Sequence, residues 1–131
     1  YTLPTRRSSI MTVFDASALL AYLGGEAGAD TVESALEGGG LCSTANWSEV
    51  AQKVLAAGGD WDLSRALLLS YGITLESVDA DDAEWAARRW RKGEGLSLGD
   101  RLCLALAHRA DDEVLTADRT WGEEGRIRQI R

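Results

Sequence analysis

Hydrophobic positions along the chain keep two rhythms. Short runs rich in β-branched or apolar residues are "MTVF" at 11–14, "LCS" at 41–43, "ITLESV" at 73–78, "EVLTAD" at 113–118 and "RIRQI" at 126–130. These predict strands, the last at an edge. Between them the period is helical. "SALLAYLG" stops at Gly24-Gly25, and "AGADTVESALEGGG" ends in three glycines. In "TANWSEVAQKVLAAGG", Trp47, Val50, Ala51, Val54 and Leu55 share one face. "WDLSRALLLSYG" predicts a further helix. "DADDAEWAARRWRKG" carries acids at its start and bases at its end, as the helix dipole favours. "SLGDRLCLALAHRA" opens on Ser97, with Asp100 three residues on.

Strands alternating with helices predict parallel pairing through crossovers. The expectation is one α/β domain over residues 11–131. The ten residues before Met11, "YTLPTRRSSI", are expected to be a leader outside the domain, because Met11 is the only methionine. With 131 residues, 45% of them apolar, the chain is long enough to bury a core. No run approaches the length of a membrane span and no signal peptide is evident, so a cytoplasmic location is expected.

Charge changes the picture more than composition does. The net charge is −7, and without the leader 12 bases face 21 acids. That balance argues against a general nucleic-acid binder with a basic face. From Met11 to Gln52 there are six acids and no lysine or arginine, a stretch suited to a basic partner segment. Bases collect at Arg88, Arg89, Arg91 and Lys92, where they are either a solvated helix end or a set of phosphate contacts. Cys42 and Cys103 are expected to be buried free thiols. His108 is the only histidine, which excludes a Cys/His zinc site, and its expected role is structural. The five tryptophans are expected to pack in the core or at an interface, with Trp121 also placed to stack on a base.

The acids that matter sit at seams. Asp15 and Asp118 follow predicted strands, while Glu49 and Asp100 lie in the first turns of predicted helices. Taken singly, each has a plain role: caps for Asp15, Asp118 and Asp100, and a surface pair with Lys53 for Glu49. Taken together, strand ends and the helix starts that follow them share one rim of a parallel sheet, where ligands bind. Converging carboxylates repel unless a cation joins them, and oxygen ligands select Mg²⁺ or Mn²⁺. Such ions acidify a water for phosphodiester chemistry without a histidine base. Ser17 and Thr116 flank the outer acids in "DAS" and "TAD", placed for capping or for contact with the site.

In order, "TVFDASALLAYL", "STANWSEV", "GLSLGDRLCLALA" and "VLTADRTW" resemble a PIN domain over residues 11–131, and most of all the VapC-type toxins of bacterial toxin–antitoxin pairs. The resemblance implies a three-layer α/β/α sandwich on a small parallel sheet of four or five strands. It implies an Mg²⁺- or Mn²⁺-dependent endoribonuclease acting on tRNA or rRNA, a homodimer, and a VapB-type antitoxin partner. It places the acidic site on Asp15, Glu49, Asp100 and Asp118, with Ser17 and Thr116 in support. The competing reading is a PIN-like protein-binding module without turnover. A phosphatase-like reading is weaker, since it needs a second acid two residues after the first and Ser17 stands there.

Overall fold

The computed structural model describes residues 11–131, so the expected leader lies outside the described residues. Five strands form one parallel sheet: β1 (Val13–Phe14), β2 (Gly40–Ser43), β3 (Ile73–Glu76), β4 (Val114–Thr116) and β5 (Ile127–Gln129). Their spatial order is β3-β2-β1-β4-β5. The order turns round between β1 and β4, which makes the carboxyl ends of those two strands the topological switch point. Six helices connect them: α1 (Ala16–Leu23), α2 (Ala29–Glu37), α3 (Thr44–Ala56), α4 (Trp61–Ser70), α5 (Ala80–Arg88) and α6 (Leu98–Ala110). A short 3₁₀ turn, Arg119–Trp121, follows β4. Among the described residues no helix is long and apolar enough to cross a membrane.

The period of two along each strand splits the core into two layers. Phe14, Cys42 and Leu115 pack with Leu19, Val32, Leu36, Val50 and Leu68 of α1 to α4. Their immediate neighbours Val13 and Val114 pack on the other face with Cys103, Leu104, Leu106 and Ala107 of α6, joined by Trp85 of α5. This is the expected α/β/α sandwich. Both cysteines are free and buried, as expected. Burial pushes the Cys42 thiol up to about 12, so it stays protonated and inert.

Two boundaries differ from the sequence pattern. The triple glycine does more than end α2, because Gly40 opens β2 with φ 147°. A Cβ there would collide with the Phe14 ring, so only glycine lets β2 lie against β1 at that point. The helix expected to run to Gly93 stops at Arg88. Beyond it Arg91 turns back to the carbonyls of Arg88 and Trp90 (2.9 and 3.0 Å), and Arg89 leaves the axis to grip Glu94 (2.7 and 3.0 Å).

Candidate active site

Asp15 follows β1 directly and is the N-cap of α1, accepting the Ala18 N–H at 2.8 Å. The residue as a whole is 3% exposed. Two hydroxyls also donate to it: Ser17 at 2.8 and 2.9 Å to the two oxygens, and Thr116 at 2.7 Å to Oδ2. Three donors would ordinarily lower a carboxyl pKa. Here desolvation outweighs them, with a small push from the Asp100 charge, and the pKa rises to about 6. Asp15 is therefore an acid held at high cost where a positive charge would relieve it.

The hydroxyls are themselves fixed. Ser17 Oγ accepts the Ala117 N–H at 2.9 Å, and Thr116 Oγ1 accepts the Asp118 N–H at 3.0 Å. The capping geometry after β1 and the backbone after β4 are thereby locked together across the switch point. Asp118 caps the 3₁₀ turn, its Oδ1 accepting from the Thr120 N–H (2.9 Å) and hydroxyl (2.6 Å). Gln129 of β5 holds the Asp118 carbonyl at 2.9 Å.

Asp100 forms the capping box expected with Ser97, its Oδ2 taking the Ser97 N–H at 2.9 Å. Glu49 does not pair with Lys53 among the described residues. Its Oε1 accepts from Asn46 Nδ2 at 2.9 Å, and the same amide reaches the Gly99 carbonyl at 3.1 Å. A Cβ on Gly99 would stand 2.5 Å from Glu49 Oε1, so the start of α6 and the Glu49 carboxylate touch. Asn46 is 1% exposed, and its Oδ1 has no hydrogen-bond partner among the described residues. Sequence reasoning missed Asn46 and Gly99, although Asn46 stands one helical turn from Glu49 and Gly99 adjoins Asp100.

The structure thus brings Asp15, Glu49 and Asp100 to one neighbourhood, and couples Asp118 to Asp15 through Thr116. Among the described residues no three of the acids already stand close enough to enclose an ion. The donor set suits a hard divalent cation all the same. It is made of carboxylate and amide oxygens, and Asn46 Oδ1 is a buried oxygen without a donor. Asp100 and Asp118 each commit one carboxylate oxygen to a cap, and among the described residues the other has no hydrogen-bond partner.

The remaining candidates lie apart from these acids in their bonding. Arg88 pairs with Glu84 and Arg89 with Glu94, while Lys92 is exposed. Trp121 is 6% exposed and packs in the second core layer, so it offers no face to a base. His108 is exposed and stacks on Trp85, with ring centroids 5.3 Å apart.

This is an α/β/α domain with Asp15 and Asp118 at the switch point of a parallel sheet. The chain belongs to the PIN domain family, whose sequence model matches residues 12–123. It is 35% identical over 115 residues to VapC ribonuclease Mb2780c of Mycobacterium bovis and to Ribonuclease VapC42 of Mycobacterium tuberculosis. Those alignments cover 79% of this chain and 87% of each relative. Its fold is similar to that of a chain in a solved structure titled "Toxin-antitoxin complex from Klebsiella pneumoniae", with a TM-score of 0.72 at 20% identity, covering 92% of this chain and 98% of that one.

Proposed function

We propose that this chain is a metal-dependent endoribonuclease, the toxin of a toxin–antitoxin pair, with Asp15, Glu49, Asp100 and Asp118 as its metal-binding and catalytic acids. The observation that carries this reading is the Asp15 carboxylate, buried beside Asp100 and fixed by Ser17 and Thr116. Membership of a family with ribonuclease relatives supports the substrate class. Mg²⁺ or Mn²⁺ would supply charge neutralisation and Lewis acidity at the phosphodiester.

The chain's own residues do the rest. Ser17 and Thr116 donate to Asp15 and so hold both of its oxygens in one orientation. Burial favours a proton on the Asp15 carboxyl, and a cation held beside it would favour the carboxylate instead. Asn46 holds Glu49 against the backbone of α6 and thereby fixes its distance from Asp100. An antitoxin and a second copy of the chain are the partners that fit this reading. Exposed Leu55, Leu63 and Leu67 on α3 and α4 supply an apolar surface for protein contact.

The test is cleavage of total cellular RNA by antitoxin-free protein with Mn²⁺ or with EDTA, beside Asp100→Asn. Discrete fragments that need Mn²⁺ and vanish in the variant are expected. No cleavage together with no Mn²⁺ binding by calorimetry overturns the reading in favour of a binding module.

A further inference from the structure

One surface away from the four candidate acids gathers arginines and aromatic rings, with Glu84 and Glu94 paired to Arg88 and Arg89. Trp85 and His108 stack with their planes 27° apart on α5 and α6. A cleft of about 160 Å³ opens beside them, lined by both rings with Leu104, Ile127, Arg89, Arg126 and one acid, Glu124. It meets a second cleft, of about 300 Å³, lined by Trp85, Arg88, Arg89 and Arg91. Arg91 bonds backbone carbonyls rather than a carboxylate. Lys92 forms no ion pair among the described residues, and between Arg89 and Arg91 stands Trp90, 56% exposed. Aromatic rings interleaved with arginine suit unpaired bases and their phosphates. A stacked ring pair left partly open accepts a further flat ring more readily than it accepts an aliphatic side chain.

The position of the surface links it to the acids. Arg101 of α6 donates to the Ala86 carbonyl at 2.7 Å and Arg109 to Asp82 at 3.0 and 3.1 Å, so α5 and α6 run antiparallel. Asp100, Leu104 and His108 are spaced by four residues and form one stripe of α6, in steps of about 6 Å. The stripe starts at a candidate acid and ends in the Trp85–His108 cleft.

We propose that the cleft of Trp85 and His108, bordered by Arg88, Arg89 and Arg91, binds an unpaired nucleobase of the RNA one to two stripe steps from the acidic site. The proposal rests on the nuclease reading and adds the part of the substrate that this face holds: single-stranded RNA, gripped by stacking and backbone charge. A loop or an unpaired end fits the cleft, and a continuous duplex does not, because its bases face inward.

The test measures binding rather than turnover. Asp100→Asn protein in metal-free buffer is titrated, by fluorescence anisotropy, into an eight-nucleotide single-stranded RNA. A second titration uses an oligonucleotide of equal length built from abasic tetrahydrofuran units. The base-bearing strand is expected to bind about tenfold more tightly. Adding Trp85→Leu or His108→Ala removes most of that preference and leaves the abasic affinity unchanged. Trp85→Phe restores it, which separates loss of stacking from loss of fold. Arg91→Glu weakens both strands and reduces the salt dependence. Equal binding of the two strands, or a preference unmoved by Trp85→Leu and His108→Ala, overturns the proposal and leaves the cleft to a protein contact. The nuclease reading fails separately, if the unaltered chain shows no Mn²⁺-dependent cleavage.

Discussion

Thr116 Oγ1 lies 2.7 Å from Asp15 Oδ2 and 3.0 Å from the Asp118 nitrogen, so one hydroxyl ties together two acids 103 residues apart. It donates to the first and accepts from the second. Thr116→Val keeps the shape and removes both bonds. Asp118 N–H loses its partner and Asp15 loses its shortest donor. We expect a loss of about 1–3 kcal/mol in urea unfolding at pH 7. The Asp15 pKa rises further above 6, and the acid limb of the cleavage profile moves to higher pH. Thr116→Ser restores both, which would not happen if the methyl group mattered most.

Asp15→Asn has opposite effects on activity and stability. The folded pKa of about 6 lies above the ordinary 3.8, so the folded state binds the proton more tightly than the unfolded state. The protonated form contributes fully below pH 4, and that contribution is lost as the pH rises through about 6. At pH 8 the buried charge costs about 3 kcal/mol. Asparagine keeps the cap without the charge. The variant is expected to be more stable than the parent by about 1–3 kcal/mol at pH 8, to match it near pH 4, and to cleave no RNA. Urea titrations at the two pH values decide it; equal stability at both would mean that Asp15 carries no buried charge.

Gly99→Ala probes the contact between α3 and α6. The new Cβ displaces the Glu49 carboxylate, which is the far end of a flexible side chain. The fold tolerates this, and alanine contributes a few tenths of a kcal/mol in the first turn of α6. Mn²⁺ affinity by calorimetry is expected to fall about tenfold with the melting temperature held or raised.

The ion pair of Asp82 with Arg109 is structural and titrates the other way. Burial pushes the Asp82 carboxyl up, but the hydrogen bonds from Arg109 and the Asp79 backbone prevail and its pKa is lowered. Its stabilisation is present above pH 4 and is lost as the pH falls through the lowered value. Asp82→Asn is expected to cost about 2 kcal/mol at pH 7, with the difference from the parent shrinking below pH 4. RNA cleavage per folded molecule stays unchanged.

What could be read from the sequence was what short-range chemistry decides. Asp15, Ser97 and Asp100 are caps by residue type and spacing, and the structure uses them so. The apolar run around Val13 and Phe14 marks a buried strand, but which layer each side chain enters is seen only in the structure. The pairs that span the chain were not legible. Asp82 with Arg109, Asn46 with the Gly99 carbonyl and Trp85 on His108 depend on how helices cross, which no local pattern carries. The early end of α5 was missed because the arginines beyond Arg88 have good helix propensity. Their guanidinium contacts with Glu94 and the carbonyls outweighed it.

The strand order has a consequence for how the protein is made. Asp15 leaves β1, and its partner Thr116 belongs to β4, which pairs directly with β1. A ribosome-bound chain lacks this partner until residue 116 has emerged. On the proposed function, a polypeptide that stops before β4 carries no working nuclease. Activity begins only after β4 has emerged, which gives an inhibitory partner a defined moment at which to meet the chain.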